Sequence, residues 1–165
     1  MTGPLDSSWD GEQDTALIRT AMEVQSLGRR AIDAVLAGEN PQDAILAVAN
    51  GYDTAAVYAW CMGMARVATT GLERPDTASG ELALSSVGRM QQDGTVQELS
   101  VDDAPPPVRL VARLLTALVN GDKEMCVALY TGFRAQDTEG QIGAAMAWLV
   151  YMAAARVRQL EAELE

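Results

Sequence analysis

The chain has 165 residues, of which 48% are hydrophobic and 21% charged, a balance typical of a single globular domain with its own core. Its net charge of −11 argues against the basic surface that non-specific nucleic-acid binding and docking to anionic membranes require. We therefore expect no direct contact with nucleic acid or membrane.

The sequence lacks the residues on which most catalytic and metal-binding motifs depend. It contains no histidine, only two cysteines, and a single lysine, Lys123, in the stretch GDKEM. These counts remove Ser-His-Asp triads, HExxH and structural zinc sites, and the Gly-Lys-Ser/Thr of a phosphate-binding loop. Magnesium-dependent carboxylate chemistry stays open, but the predicted helices carry no paired ExxE and ExxD motifs. We expect no cofactor, no metal site and no catalytic residue, and we lean against an enzyme.

The first predicted helix runs from about residue 14 to Gly38 and follows a flexible acidic tail over residues 1–13, with Asp14 as its N-cap. Its apolar positions recur at helical spacing, which predicts one face toward the core. They are Leu17, Ala21, Val24, Gly28, Ala31 and Val35. A glycine in the middle of a helix is unfavourable, so Gly28 predicts a close contact with another helix or a bend.

Two further helices are predicted before the middle of the chain. Asn40-Pro41 begins a short one over about 41–49, because proline suits the first helical position. Asp53 or Thr54 then caps an apolar helix that ends near Gly71.

The second half of the chain predicts three more helices. The first begins at Pro107 and ends before Gly121, and Asp122 caps the next. The last follows a turn at 137–140 and carries no charged residue over 142–155. That run is shorter than the roughly 18–20 residues needed to cross a bilayer. We expect it to be buried at the centre of the fold.

Residues 72–107, rich in proline and glycine, separate the two sets of helices. Asp93-Gly94 between short apolar segments favours a small β-hairpin, and a short helix over 80–91 is the competing interpretation. Either would make this segment a crossover, as a loop or a hairpin.

The two halves of the chain resemble each other in layout, as half-repeats over 14–71 and 108–165. Gly38 matches Gly121 at an offset of 83 residues, and Arg66 matches Arg156 at an offset of 90. A duplicated three-helix unit would explain this pattern and predicts that the two apolar helices, 54–70 and 140–164, meet at the centre. The fold class is therefore an all-α bundle of about six helices.

Aromatic and methionine side chains cluster on those two apolar helices. Helix bundles form ligand pockets between facing helices, and Trp, Tyr and Met are also enriched at subunit interfaces. Such a cluster is also what an ordinary core contains. The candidate ligand-binding or interface residues are Tyr58, Trp60, Met64, Trp148, Tyr151 and Met152.

We expect a non-catalytic protein-protein interaction or adaptor protein that acts on another protein. Two largely apolar helices offer more apolar surface than one small domain covers, which favours a homodimer. The alternative is a small-molecule-binding regulatory domain with a Trp, Met and Tyr-lined pocket, and a metal-dependent carboxylate enzyme is third. Cys61 and Cys126 lie in apolar stretches and are expected to be buried thiols in a cytoplasmic protein.

Overall fold

The computed structural model describes residues 11–72, 86–90, 96–136 and 140–165. Within these ranges the chain forms six α-helices and one two-stranded antiparallel sheet, so the predicted all-α bundle is confirmed. In chain order the elements are α1 (Gly11–Leu36), α2 (Gln42–Gly51), α3 (Thr54–Ala68), β1 (Ser86–Met90), β2 (Val96–Ser100), α4 (Pro106–Val119), α5 (Lys123–Gln136) and α6 (Gln141–Leu164).

Two predicted N-caps form as expected. The Asp53 carboxylate accepts a hydrogen bond from the Ala56 backbone N–H at 2.8 Å, and Asp122 accepts one from Met125 at 2.9 Å. Each satisfies a first-turn donor that has no partner within its helix. Helix α1 begins at Gly11, so the predicted N-cap Asp14 lies inside the helix. Residues 1–10 lie outside the described part of the chain.

Helix α1 is longer than the elements that pack against it. Its 26 residues span about 39 Å, whereas α2 has 10 residues and α3 has 15. The predicted core-facing stripe is buried only from Val24 onward, and Leu17 and Ala21 are exposed. The prediction was wrong for the first turns because α2 and α3 are too short to cover them.

Helix α6 lies at the centre of the bundle and packs against α1, α2, α3 and α4. Its contact with α3 is the most extensive between two helices, as predicted for the two apolar helices. Their shared core includes Trp60, Met146, Leu149 and Val150.

Two arginines of α6 donate hydrogen bonds to the C-terminal ends of two other helices. Arg156 Nε donates to the Thr70 carbonyl oxygen at 2.7 Å, just beyond α3, and Arg158 donates to the carbonyl oxygens of Val35 and Leu36 at 3.0 and 3.3 Å. The last carbonyls of a helix have no intrahelical partner and carry partial negative charge, so a guanidinium stabilises them.

The ends of α1 and α4 share one backbone geometry. Gly38 and Gly121 adopt positive φ values of 79° and 74°, and each is followed by a residue whose N–H bonds back into the last turn. Three backbone N–H to carbonyl hydrogen bonds close the turn after α1: Ala37 to Asp33, Gly38 to Val35 and Glu39 to Ala34. Three bonds at positions 83 residues later close the turn after α4: Asn120 to Thr116, Gly121 to Leu118 and Asp122 to Ala117. This agreement is what a duplicated unit requires, and the duplication itself stays a prediction.

The crossover contains the predicted hairpin rather than the competing helix. Strand β1 pairs antiparallel with β2, from Ser86 opposite Ser100 to Met90 opposite Val96. The Asp93-Gly94 pair lies outside the described residues. A 3-10 turn, Val101–Asp103, leads into α4, where Arg113 forms a 2.7 Å ion pair with Asp102.

Candidate functional site

The structure divides the six candidate residues between two surfaces. Tyr58, Trp60 and Met64 of α3 line a groove. Trp148, Tyr151 and Met152 lie on the outer face of α6 and are not part of the lining of that groove. The residues predicted to form a single region around Trp60 and Trp148 therefore lie in two separate places.

The groove has a volume of about 600 Å³, within the range of ligand pockets in proteins. Helix α3 forms its floor, and Gln25 of α1, the α4–α5 turn and the start of α5 form its walls. Besides the three predicted residues, the lining is Gln25, Ala59, Met62, Gly63, Arg66, Leu118, Gly121, Asp122, Lys123, Cys126 and Val127.

Two small residues of α3, Ala59 and Gly63, leave space in the groove above the helix. Ala59, Met62, Gly63 and Arg66 lie on one face of α3, because residues three, four and seven positions apart share a helix face. A Cβ built on Gly63 would meet no atom within 4 Å, so space opens directly above it.

The side of α3 that faces α1, which carries Trp60 and Met64, is closely packed. A Cβ on Gly28 would lie 2.6 Å from Met64 Cε and 3.2 Å from Trp60 Nε1, so α1 approaches α3 closely at this glycine. The close contact predicted for Gly28 is confirmed. Trp60 Nε1 is buried and has no hydrogen-bond acceptor among the described residues, which is uncommon because an unsatisfied buried donor lowers stability.

Tyr58 lines the groove and its ring packs against Tyr130 of α5, which is hydrogen-bonded to the start of α3. Its ring lies 5.1 Å from that of Tyr130, whose hydroxyl donates to the Thr54 carbonyl oxygen at 3.2 Å. Burial raises the pKa of the Tyr58 hydroxyl and Cys126 adds to the rise, whereas the positive charge of Arg66 lowers it.

The mouth of the groove carries three charged side chains. Arg66 and Lys123 supply positive charge, and neither forms an ion pair with another residue in the described ranges. Asp122 supplies the negative charge, but its carboxylate is engaged in capping α5. Positive charge is therefore available at one edge of an otherwise apolar groove. Arg66 thus differs from Arg156, which ties two helices together.

Both cysteines are free and buried, as expected. Burial raises the pKa of Cys61 from 9.0 to about 12, with a partly opposing effect of Arg134. Burial and the nearby Asp122 also raise the pKa of Cys126. Thiols held in the protonated form are poor nucleophiles, so the structure favours a packing role for both.

The outer face of α6 exposes large apolar side chains where the sequence predicts a fully buried run. Trp148 is 46% exposed and Tyr151 is 50% exposed, and Met152 is partly exposed beside them. Ala144 and Ala155, both exposed, lie four positions before Trp148 and four after Tyr151. Four of these residues, Ala144, Trp148, Tyr151 and Ala155, follow the 4-3-4 spacing of one helix face, and Met152 lies beside them. Together the five residues form the α6 seam, which includes no charge.

Sequence reasoning missed a second apolar surface, on the first turns of α1. Leu17, Ile18 and Met22 are 69%, 61% and 66% exposed. Their spacing matches that of the buried part of α1, so the periodicity gave no signal that the bundle ends before them. It also missed the α5 contribution to the groove, because Lys123 and Val127 approach α3 only through the tertiary fold.

Among the described residues, no group of three or more His, Cys, Asp or Glu side chains could hold a metal ion. In the same part of the chain, no helix has the length and apolar character to span a bilayer. No protein-family model, curated protein or solved structure matches this chain.

Proposed function

We propose that this protein is a non-catalytic interaction protein whose working form is a homodimer assembled through the α6 seam. The observation that carries the proposal is the half-exposed Trp148 and Tyr151 pair on the helix at the centre of the fold. Trp and Tyr are the side chains most enriched among residues that dominate binding energy at interfaces.

The spacing of the seam favours a second copy as its occupant. Two-fold symmetric interfaces pair a surface with itself. If two α6 helices pack antiparallel, Trp148 of each copy faces Tyr151 of the other, and Ala144 faces Ala155. Alanines at both ends allow close approach of the backbones, and the two aromatic pairs fill the centre. The seam is therefore complementary to itself.

The adaptor part of the proposal requires a further surface that stays free in the dimer. The candidate is the projecting start of α1, with Leu17, Ile18 and Met22 exposed along two turns. Grooves on other proteins bind amphipathic helices through apolar side chains at this spacing.

Sedimentation equilibrium on the full chain and on Trp148→Glu tests the dimer. We expect the unaltered protein to be dimeric at tens of micromolar and the variant to be monomeric, because two buried carboxylates would face the partner's Tyr151. Circular dichroism should show unchanged helix content, since Trp148 projects away from the core.

Leu46→Glu and Met22→Glu are the matched controls, because each places a carboxylate on a large exposed apolar residue outside the seam. Both should remain dimers. A monomeric unaltered protein contradicts the proposal, and dissociation caused only by Met22→Glu would move the interface to α1.

A further inference from the structure

We propose that the groove between α3 and the start of α5 binds a small monocarboxylate with an apolar body, such as a medium-chain fatty acid. The site is separate from the α6 seam, and its ligand would act on the folded protein independently of dimer formation.

The apolar part of the ligand fits the floor of the groove. Ala59 and Gly63 leave an open channel along α3, and Tyr58, Met62 and Val127 flank it. A side chain added at Gly63 would meet no protein atom within 4 Å of its Cβ, so the channel has room for an alkyl chain. Methionine side chains adapt to ligands of irregular shape because they are unbranched and flexible.

The charged part of the ligand fits the mouth. The protein as a whole carries a net charge of −11, so a general attraction for anions is absent. Arg66 and Lys123, the single lysine of the chain, nevertheless both line this groove without an ion-pair partner in the described residues. Such a pair of cations favours an anionic head group.

The nearby Asp122 favours a ligand that carries a single negative charge. Its carboxylate is fixed by its hydrogen bond to the Met125 N–H at 2.9 Å, so it cannot move away when a ligand enters. With two positive charges and one negative, the mouth balances a single carboxylate better than a doubly charged phosphate. A cationic ligand would be repelled by the same pair, and a neutral one would gain no attraction from it.

Titration with decanoate below its micelle concentration tests the proposal, with Tm and Trp fluorescence as readouts. The Trp9→Phe/Trp148→Phe background leaves Trp60, in the groove, as the reporter. We expect decanoate to raise Tm in a saturable manner and to change Trp60 emission. Decanol should bind at least about tenfold more weakly, because it lacks the charge that the two cations recognise, and decylamine should not bind.

Gly63→Leu should abolish decanoate binding by filling the channel while the helix content is kept. Its control is Gly132→Leu, at a glycine of α5 that is equally open but lies outside the groove. Arg66→Gln/Lys123→Gln should weaken binding about tenfold or more, whereas Arg29→Gln, at an exposed arginine outside the groove, should leave it unchanged.

Absence of a saturable shift with decanoate would overturn the proposal, and so would binding that survives both Gly63→Leu and the double charge variant. The titration is repeated in Trp148→Glu. Decanoate binding to Trp148→Glu would support this proposal whether or not the unaltered protein forms dimers. The ligand site is thereby tested independently of the α6 seam.

Discussion

Two glycines with opposite surroundings define the two faces of α3. Gly28 of α1 lies against the inner face, where a Cβ would meet Met64 Cε at 2.6 Å, whereas Gly63 of α3 opens onto the groove. The sequence predicts the first, because a glycine inside an apolar stripe costs stability unless something approaches it closely. It does not predict the second, because the emptiness above Gly63 depends on where α5 lies.

Cys61 provides a prediction for the pH dependence of stability. Its pKa is about 12 in the folded protein and near the ordinary 9.0 when unfolded, since burial disfavours the thiolate. The unfolded chain therefore loses this proton at a lower pH than the folded one. The stability due to the protonated thiol is complete below pH 9 and is lost as the pH rises toward 12, by roughly 4 kcal/mol at most.

Urea denaturation between pH 7 and 11 measures how steeply the free energy of unfolding falls as the pH rises. Cys61→Ala should make this slope shallower. The raised pKa of Cys126 acts in the same direction, so some slope should persist in the variant. Equal slopes for the two proteins would contradict the assignment to Cys61.

At the scale of the element, α6 joins the bundle through both its apolar face and its basic end. Arg156 ties α6 to the end of α3 through the Thr70 carbonyl oxygen. Arg66 is instead exposed at the groove and forms no ion pair with another described residue. The two arginines lie at matching places in the predicted half-repeats, so only their neighbours distinguish them.

We expect Arg156→Ala to lower the free energy of unfolding by about 1–2 kcal/mol, because the Thr70 carbonyl oxygen loses a charged donor at 2.7 Å. The control is Glu163→Ala, which removes the 3.6 Å ion pair between Arg156 and a half-exposed carboxylate, together with the 3.1 Å hydrogen bond that Gln159 donates to that carboxylate. That pair should contribute no more than about 0.5 kcal/mol. Equal losses in chemical denaturation would assign the effect to the ion pair instead.

For the whole molecule, charge and apolar surface act in opposite directions on self-association. Each copy carries a net charge of −11, so two copies repel each other at long range. The α6 seam, the proposed dimer interface, contains no charge, so the attraction between two seams would depend little on salt. We therefore expect the dimerisation constant to rise by about threefold or more between 20 and 500 mM salt, because the repulsion is screened.

Sedimentation equilibrium at several salt concentrations measures this dependence. Met22→Glu, which adds charge outside the seam, should show a steeper rise, since it increases the repulsion between copies. Weaker association at high salt would indicate that ion pairs hold the dimer, which would contradict an apolar seam.

The sequence by itself determined where α3 and α5 begin, where α1 and α4 end, and that α6 is central. Asp53, Asp122, Gly38 and Gly121 act through bonds within a few residues of themselves, so local sequence contains the information that they need. The apolar run of α6 likewise required a central place, because its burial removes much apolar surface from water.

Only the tertiary structure decided which side of each apolar helix stays exposed. A helix that is apolar on all sides has no periodicity to indicate its partner, so Trp60 and Trp148 looked equivalent in the sequence. The packing of α1, α2, α3 and α4 around α6 buries Met146 and Leu149 and leaves Trp148 outside. The lengths of α2 and α3 leave the start of α1 uncovered in the same way. Both candidate surfaces exist because neighbouring helices cover only part of an apolar helix.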